Sequence, residues 1–540
     1  MPKRNTKCIS VDKDLDRIIS PSLSLRNLVE SLADSVTKLT TEVAKNKEML
    51  ATVGGEGTDR NQVVAHNKQM GHEEHFVQAK KTSSYLSSWK DRGTLVAMSD
   101  GMTYGWTSPM IPYFTGNSTH IKMTMYEAEM METVNLLGAI CGLPITTYAV
   151  DKIGRKKSML SASFAALLCW LATLFAPNKE VLYVARFFIG MAGDMCFVAA
   201  PMYIAEIADH RIRGFLSSLI YIMMLFGILV VYTTGTYAAY YVPPIIGIVL
   251  TGIQCIFFPF MPDSPYYLVY INRIEDAEKA LKRVRTDANV SKEIEEIQKA
   301  VERQKTERGR PQDLILIPSN RKAIMVMTIL NGAQHFVGIS VMIMNLHVIL
   351  AEAGSIYIEP GVAAITFAAI MLIGASVSSV IMDRFGRKSL LITSSILTGI
   401  TLTIMTVFFH LKNTGYDVMF VSWIPAACCM TYALTFKSGL GIVPIVITAE
   451  IFPTTIKAIG MTLADAVYCI MAVISIQIYS VLFGAYGIHA PFYIFALCAF
   501  FTAFFTAFFI PENKGKTLDE IKLMLKGHKA IRADNGIAMT

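Results

Sequence analysis

Long apolar runs dominate this chain from about residue 93 onward. Each run is about 20 residues long, which is the length of helix that crosses the ~30 Å hydrocarbon core of a bilayer. Only 17% of the residues are charged, whereas a soluble domain carries about 25%. This pattern argues against a soluble enzyme and against a secreted, disulfide-stapled module. It predicts an all-α membrane protein.

Twelve membrane spans fit the apolar runs. Their predicted limits are 93–113, 129–149, 158–177, 181–204, 214–236, 242–261, 323–349, 361–382, 389–410, 420–446, 458–484 and 490–511. The spans and the polar stretches around them divide the chain into five regions, which are 1–90, 91–262, 263–320, 321–511 and 512–540. The second and fourth regions are six-helix bundles. The third is a charged linker for which we expect two or three short surface helices, and the first and last are polar segments.

One amphipathic helix is predicted within residues 22–50 of the N-terminal segment. Its apolar residues, which include Val29, Leu32, Val36 and Leu39, recur at helical spacing. The pattern covers about three heptads, which is short for a stable coiled coil. Two interpretations stay open: a cytosolic helix that packs weakly, or a helix that binds a cytoplasmic partner or a second copy of the chain.

Basic residues in the short loops predict the orientation in the membrane. Ten of them follow the even-numbered spans, namely Lys152, Arg155, Lys156, Lys157, Arg211, Arg213, Arg384, Arg387, Lys388 and Lys457. The loops on the other side hold three, which are Lys122, Lys179 and Lys412. Lys and Arg collect in cytoplasmic loops, so both termini and the linker are expected in the cytoplasm. Asn117, in an Asn-Ser-Thr sequon between spans 1 and 2, is then outside and is a candidate glycosylation site.

Motifs for other kinds of chemistry are missing. The formal net charge is +7, but the basic residues lie in short loops between spans, so no nucleic-acid partner is expected. Gly54-Gly-Glu-Gly57 lacks the Lys-Ser/Thr that completes a phosphate-binding loop. We therefore expect no enzymatic activity, no cofactor and no metal. The expected partners are the lipid bilayer and a small-molecule solute.

An internal repeat relates the two halves of the chain. Asp151-Lys-Ile-Gly-Arg-Lys follows span 2, and Asp383-Arg-Phe-Gly-Arg-Lys follows span 8. Similarly, Ala205-Glu-Ile follows span 4 and Ala449-Glu-Ile follows span 10. Acidic and basic groups at such helix ends can pair when one side of a carrier is shut, and separate into water when it opens. The repeat thus predicts a latch for alternating access.

These motifs resemble those of the sugar-porter family of the major facilitator superfamily, most closely its insect facilitated trehalose and sugar transporters. The resemblance covers about residues 93–525 and includes Arg186-Phe-Phe-Ile-Gly, Pro201-Met-Tyr-Ile-Ala-Glu206, Pro262-Asp-Ser-Pro265, Gly338-Ile339, Glu450-Ile-Phe-Pro-Thr and Pro511-Glu-Asn-Lys-Gly-Lys-Thr. It implies two pseudo-symmetric six-helix bundles around a cavity lined chiefly by helices 1, 4, 7 and 10. It also implies a cytoplasmic latch made of Asp151, Arg155, Glu206, Arg213, Asp383, Arg387, Glu450 and Lys457. One latch cation is missing, because Tyr266 stands where the family has an Arg.

The resemblance also implies where a solute binds. The positions that correspond to the family's sugar ligands are Gln334, His335, Ser340, Tyr221, Met371, Ile445 and Tyr468. Only Gln334 keeps the family's residue type. The latch is therefore largely retained, whereas most of the sugar ligands are replaced.

Ionisable residues inside apolar runs are further candidates. They are Asp100 in span 1, Asp194 in span 4, Lys437 in span 10 and Asp465 in span 11. Such residues are costly to place in a membrane and mark functional sites. Two explanations stay open: they pair with one another or reach water, or they contact the solute or an ion. Asp194 and Lys437 have similar depths in equivalent helices, which predicts that they form an ion pair or compete with the solute for each other.

The sequence therefore predicts a plasma-membrane carrier that moves a small polar solute by facilitated diffusion. The default solute is a hexose or trehalose. Thr107 stands where proton-coupled sugar porters carry an Asp, which favours a uniporter unless Asp100 or Asp194 carries the proton. The alternatives are the same scaffold with a site rebuilt for a cationic, zwitterionic or other non-sugar solute, and a sensor or interaction protein that does not transport.

Overall fold

A computed structural model describes residues 95–117, 119–208, 213–285, 290–306, 312–452 and 457–510. The predicted amphipathic helix within residues 22–50 lies outside the described residues, as do the rest of the N-terminal segment and the tail after residue 510. The side chains of four predicted latch residues also lie outside what is described, namely Arg213, Asp383, Glu450 and Lys457.

Twelve spans are present in the described part of the chain. Eleven are helices long and apolar enough to cross a membrane, and span 1 is interrupted by a turn at Trp106. In chain order the spans are 95–105 with Thr107–Thr115, Met125–Lys152, Arg155–Leu174, Lys179–Ile207, Arg213–Tyr237, Val242–Phe257, Pro318–Phe336 with Ile339–Met344 and Leu346–Ala353, Pro360–Phe385, Arg387–Asn413, Ile424–Ser438 with Val443–Ile451, Lys457–Tyr486 and His489–Phe509. These limits fall within a few residues of the predicted ones.

Spans 7 and 10 are broken, which the apolar pattern did not predict. In span 7, Gly338 has φ +93°, a conformation that glycine adopts without the steric penalty of a Cβ. In span 10 the helix ends at Ser438 and restarts at Val443. The free backbone groups of the break are satisfied by side chains, because Leu440 N donates to Ser394 Oγ at 2.9 Å and Leu440 O accepts from Gln334 Nε2 at 2.8 Å.

The spans form two six-helix bundles, one from spans 1–6 and one from spans 7–12. Within the first bundle span 4 packs against spans 2 and 3, and within the second span 9 packs against spans 10 and 12. Between the bundles, span 2 packs against span 11 and span 5 against span 8. We call the side of the membrane that carries Asp151–Lys157 the motif side, and the other the opposite side. Span 1 also contacts span 7, so the two bundles meet along more than these two helix pairs.

Short helices connect the bundles on the motif side. They are Pro265–Tyr270, Ile274–Val284, Val290–Thr306 and Asp313–Leu316. Their apolar faces form a small core of their own that includes Leu281 and Ile297. Arg285 Nη1 donates to the carbonyl of Ile207 at 2.9 Å, which ties this core to the end of span 4.

Candidate functional site

Side-chain hydrogen bonds join the bundles in the half of the membrane nearer the opposite side. Ser480 Oγ of span 11 donates to Glu129 Oε2 of span 2 at 2.5 Å. One turn along, Gln477 Nε2 donates to Thr133 Oγ1 at 2.8 Å. Span 2 begins on the opposite side, so both bonds hold the bundles together there.

His347 links three spans in the same half. Its Nδ1 lies 2.8 Å from Ser108 Oγ of span 1, and its Nε2 lies 3.0 Å from Thr236 Oγ1 of span 5. Beside it, the Tyr232 hydroxyl of span 5 donates to the carbonyl of Ile343. Span 7 of the second bundle is thereby fastened to spans 1 and 5 of the first.

Lys437 of span 10 makes a contact between the bundles that lies well inside the membrane. Its ammonium donates to the hydroxyl of Tyr221, which lies about 12 Å along span 5 from the motif side. Lys437 is only 4% exposed. Its nitrogen also lies 4.9 Å from the centre of the Tyr221 ring and 5.5 Å from that of Phe436, so aromatic faces surround it. Two predicted site residues are thus brought together.

His335, Ser340 and Tyr468 form a second predicted group that the structure assembles. The buried ring of His335 places Nδ1 2.8 Å from Ser340 Oγ and stands edge-on to Tyr468 with ring centres 4.1 Å apart. Ser340 Oγ is also 3.2 Å from the hydroxyl of Tyr104 in span 1. His335 Nε2 has no hydrogen-bond partner, so one polar atom of this group is left for a solute or for water.

Three other predicted site residues have different surroundings. Gln334 uses its amide nitrogen to hold the break in span 10, while its Oε1 has no partner. Met371 has no exposed surface and packs in the hydrophobic core. Ile445 is 43% exposed. Met371 is therefore a packing residue in this conformation rather than a solute contact.

The predicted ion pair between Asp194 and Lys437 is not formed. Asp194 Oδ2 accepts a hydrogen bond from Thr146 Oγ1 of span 2 at 3.0 Å, and the residue across the bundles that interacts with it electrostatically is Asp465, a like charge. Lys437 binds Tyr221 instead. The depth of the two residues was similar, but depth along a helix does not fix the direction in which a side chain points.

Asp100 lies inside the first bundle. It lines a cavity of about 20 Å³ together with Ser163 of span 3, Gly193 of span 4 and Thr251 of span 6. Its carboxylate lies directly against Gly193, where an added Cβ would be 2.4 Å from Asp100 Oδ1. The structure thus separates Asp100 from the group around Lys437.

A buried ion pair inside the first bundle was missed by the sequence analysis. Arg186 Nη2 of span 4 lies 2.8 Å from Glu132 Oε2 of span 2, and both side chains are 2% exposed. Thr107 donates to the same carboxylate at 2.7 Å and Asn135 to its other oxygen at 3.1 Å. The guanidinium lies 5.2 Å from the Trp106 ring centre. In the sequence, the pair is visible as a glutamate and an arginine that each lie inside an apolar run of the first half of the chain.

On the motif side, Arg155 and Glu206 form an ion pair at 3.0 Å. Both residues belong to the first bundle, so this pair joins spans 3 and 4 and does not cross between the bundles. The Ser264 hydroxyl donates to the other oxygen of Glu206. Burial raises the pKa of Tyr267, whose protonated hydroxyl donates to the carbonyl of Lys152 at 2.8 Å. The linker is therefore bonded to the ends of spans 2 and 4.

The remaining predicted residues with a described position lie where the spans end. Asp151 is near the end of span 2, and Arg387 begins span 9. Asn117 is exposed in the loop between spans 1 and 2.

No cluster of His, Cys, Asp or Glu that could hold a metal ion occurs among the described residues.

The family follows from comparison with known proteins. A family model described as "Sugar (and other) transporter" matches residues 75–525. The chain belongs to this family. Its relatives include proteins named facilitated trehalose transporter Tret1 from Polypedilum vanderplanki, 29% identical over 79% of this chain and 85% of the relative, and from Drosophila mojavensis, 28% identical over 81% of this chain. The match spans about half of the Drosophila relative, 50% of its length.

Solved structures of sugar transporters share the fold. The xylose transporter XylE from E. coli in an inward open conformation superposes with a TM-score of 0.67, at 19% identity, over 82% of this chain and 100% of that chain. A partially occluded inward open conformation of XylE gives 0.66 over 80% of this chain and 100% of that chain. The protein is therefore an integral membrane protein with the twelve-helix fold of the major facilitator superfamily, and its named relatives are transporters.

Proposed function

We propose that this protein is a carrier that moves a small polar solute across the plasma membrane by facilitated diffusion. Sugars are the default solute class, with hexoses and trehalose as the first candidates. The observation that carries the proposal is the layer of polar groups between the two bundles, supplied by spans 1, 5, 7, 10 and 11. Tyr221, His335 and Lys437 are its central members. The family and the names of the relatives support the same function.

The orientation and the gate are part of this proposal. The motif side is cytoplasmic, because most loop Lys and Arg lie there. The gate consists of Asp151, Arg155, Glu206, Arg213, Asp383, Arg387, Glu450 and Lys457, with Arg155–Glu206 as a pair that fixes spans 3 and 4 to each other. Both termini are then cytoplasmic, and Asn117, exposed on the other side, is the glycosylation site.

A second candidate is the same carrier with a site rebuilt for a solute other than a neutral sugar. It is favoured by the aromatic and charged groups at the centre, since Tyr221, at a position where the resemblance implies a sugar ligand, bonds to the intramembrane cation Lys437. Met371 has a thioether without a hydrogen-bond donor and no exposed surface, so it cannot replace an amide that donates to a sugar hydroxyl.

Uptake by proteoliposomes that contain the pure protein tests the proposal. Radiolabelled glucose, trehalose and a panel of polyols, amines and sugar acids would be supplied outside, and each would also be preloaded inside. Saturable uptake that accelerates when the same solute is preloaded is expected of a carrier. Binding without any uptake would instead identify a sensor, and uptake driven by an imposed pH gradient would contradict facilitated diffusion.

A further inference from the structure

We infer that the solute carries a carboxylate beside its hydroxyl groups, as a sugar acid does, and that Lys437 binds this carboxylate. The inference rests on the proposed carrier function and assigns the substrate class at its central site. It starts from the way in which Lys437 is held.

Among the described residues, the ammonium of Lys437 has one hydrogen-bond acceptor, the hydroxyl of Tyr221. Its other described contacts are the faces of Tyr221 and Phe436. An ammonium has three N–H donors, so two remain for another acceptor. Aromatic faces attract a cation but do not neutralise its charge.

No acidic side chain of the described residues is placed to balance this charge. Asp194 is bonded to Thr146 and has Asp465 in electrostatic range. Asp100 is inside the first bundle against Gly193. A buried cation is normally paired with an anion or coordinated. The partner of Lys437 is therefore an anion that binds and dissociates. A zwitterionic solute carries an ammonium as well as a carboxylate, and its ammonium would need an acidic side chain of the protein nearby. No acidic side chain of the described residues lies beside Lys437 to fill that role.

The polar atoms nearby match a hydroxylated molecule. Gln334 Oε1 and His335 Nε2 are buried and have no hydrogen-bond partner in the described part of the chain. Gln334 bonds the backbone of Leu440, three residues beyond Lys437 in the same span. Two unpartnered polar atoms on span 7, one of them on a residue that bonds span 10 near Lys437, are suited to a small molecule that presents hydroxyl groups and one carboxylate. A neutral sugar would leave the ammonium unbalanced.

The location of Lys437 also gives the carboxylate a role in transport. The bond between Lys437 and Tyr221 crosses from one bundle to the other. A solute carboxylate that takes over the ammonium would compete with this bond. Binding would then act on one of the contacts that join the bundles, so affinity for the solute and the movement of the bundles are coupled.

The test measures binding to the purified full chain in lipid nanodiscs at pH 7, in chloride-free buffer. The probes are D-glucuronate, its neutral amide D-glucuronamide, D-glucose, D-glucosamine and sodium chloride. We expect glucuronate to bind at least tenfold more tightly than glucose or glucuronamide. Lys437→Met should remove this difference. Lys122→Met, which deletes an exposed lysine from the loop between spans 1 and 2, should retain it.

Several results would overturn the inference. They are equal or tighter binding of glucose or glucosamine in the wild-type chain, an anion preference that survives in Lys437→Met, and a Lys437-dependent response to chloride without one to glucuronate. The wild-type comparison of glucuronate with its amide decides the matter even if Lys437→Met does not fold. Uptake of neutral sugars without anion preference would refute the anion site and leave the carrier intact, whereas no uptake of any probe would refute the carrier as well.

Discussion

Glu132 and Arg186 form an ion pair whose side chains are 2% exposed. Glu127, one and a half turns away in the same span, pairs with Lys179 at 2.5 Å, but these side chains are 30% and 38% exposed. The two pairs connect the same two spans and differ mainly in burial. They provide a matched comparison of buried and exposed charge.

Glu132→Gln should destabilise the protein by about 3–5 kcal/mol, because it leaves the buried guanidinium without a counter-charge. Glu127→Gln should cost much less, since an exposed pair contributes little to stability. Thermal unfolding of both variants in the same detergent measures the difference. Equal losses would mean that Glu132 is no more important to the fold than an exposed carboxylate.

Glucose should be a poor ligand of this chain. At positions that correspond to the family's sugar ligands it carries Tyr221, Met371 and Tyr468, and each hydrogen bond that a buried hydroxyl loses costs about 1–3 kcal/mol. Two such losses weaken binding by roughly 30-fold or more. Competition of glucose against a transported solute in proteoliposomes measures this. Saturable glucose transport in the low millimolar range would contradict the prediction and favour an ordinary sugar site.

The break in span 10 depends on the close packing of Gly439 against span 9. A Cβ added to Gly439 would be 2.6 Å from the carbonyl oxygen of Leu390 and 2.6 Å from Ser394 Cβ. At Gly252 of span 6, nothing lies within 4 Å of such an atom. Comparing an alanine substitution at each of the two glycines therefore separates the effect of steric crowding from the effect of replacing a glycine with an alanine.

Gly439→Ala should lower stability by about 1–3 kcal/mol through overpacking. Gly252→Ala should be neutral or stabilising by up to about 1 kcal/mol, because alanine favours a helix more than glycine does. Unfolding temperature and the yield of folded protein report both effects. A Gly439→Ala variant as stable as the Gly252→Ala variant would show that the break can move away from span 9.

At the scale of the whole molecule, we expect the hydrogen bonds that join the two bundles on the opposite side to control how often that side is open. Ser480→Ala removes a hydrogen bond to the Glu129 carboxylate that joins the bundles. A hydrogen bond to a charged group contributes about 1.5–3 kcal/mol, so the state open on the opposite side should gain roughly tenfold or more in population. Thr403→Ala is the control, because Thr403 bonds only its own helix, at the carbonyl of Gly399.

Spin labels at Tyr126 and Tyr486 can measure this shift in a background without native cysteines. Both residues are exposed, 62% and 67%, and they lie at the opposite-side ends of spans 2 and 11. Ser480→Ala should enlarge the long-distance population, and Thr403→Ala should not. Identical distance distributions in the two variants would show that the bond does not control the equilibrium.

The positions of the spans were predictable because each one is a long apolar run between charged loops. The breaks were not, since Gly338 and Gly439 look like the many glycines that sit inside unbroken membrane helices. At the candidate site, residue type and depth could be read from the chain, but the direction of a side chain depends on how each helix rotates against its neighbours. That is why the partner of Lys437 in the structure is Tyr221 rather than the predicted Asp194.

The buried pair in the first bundle also constrains how the protein is made. Span 2 carries Glu129 and Glu132 near its start, and an acidic residue makes insertion at the translocon less favourable, by up to about 2.5–3.5 kcal/mol at the centre of a helix and by less towards its ends. The cation that offsets Glu132 is Arg186, 54 residues further along the chain. Span 2 therefore leaves the ribosome before its partner exists. Stable integration of the first bundle should wait until span 4 has been synthesised, so a chain truncated after span 3 would be retained at the translocon or degraded.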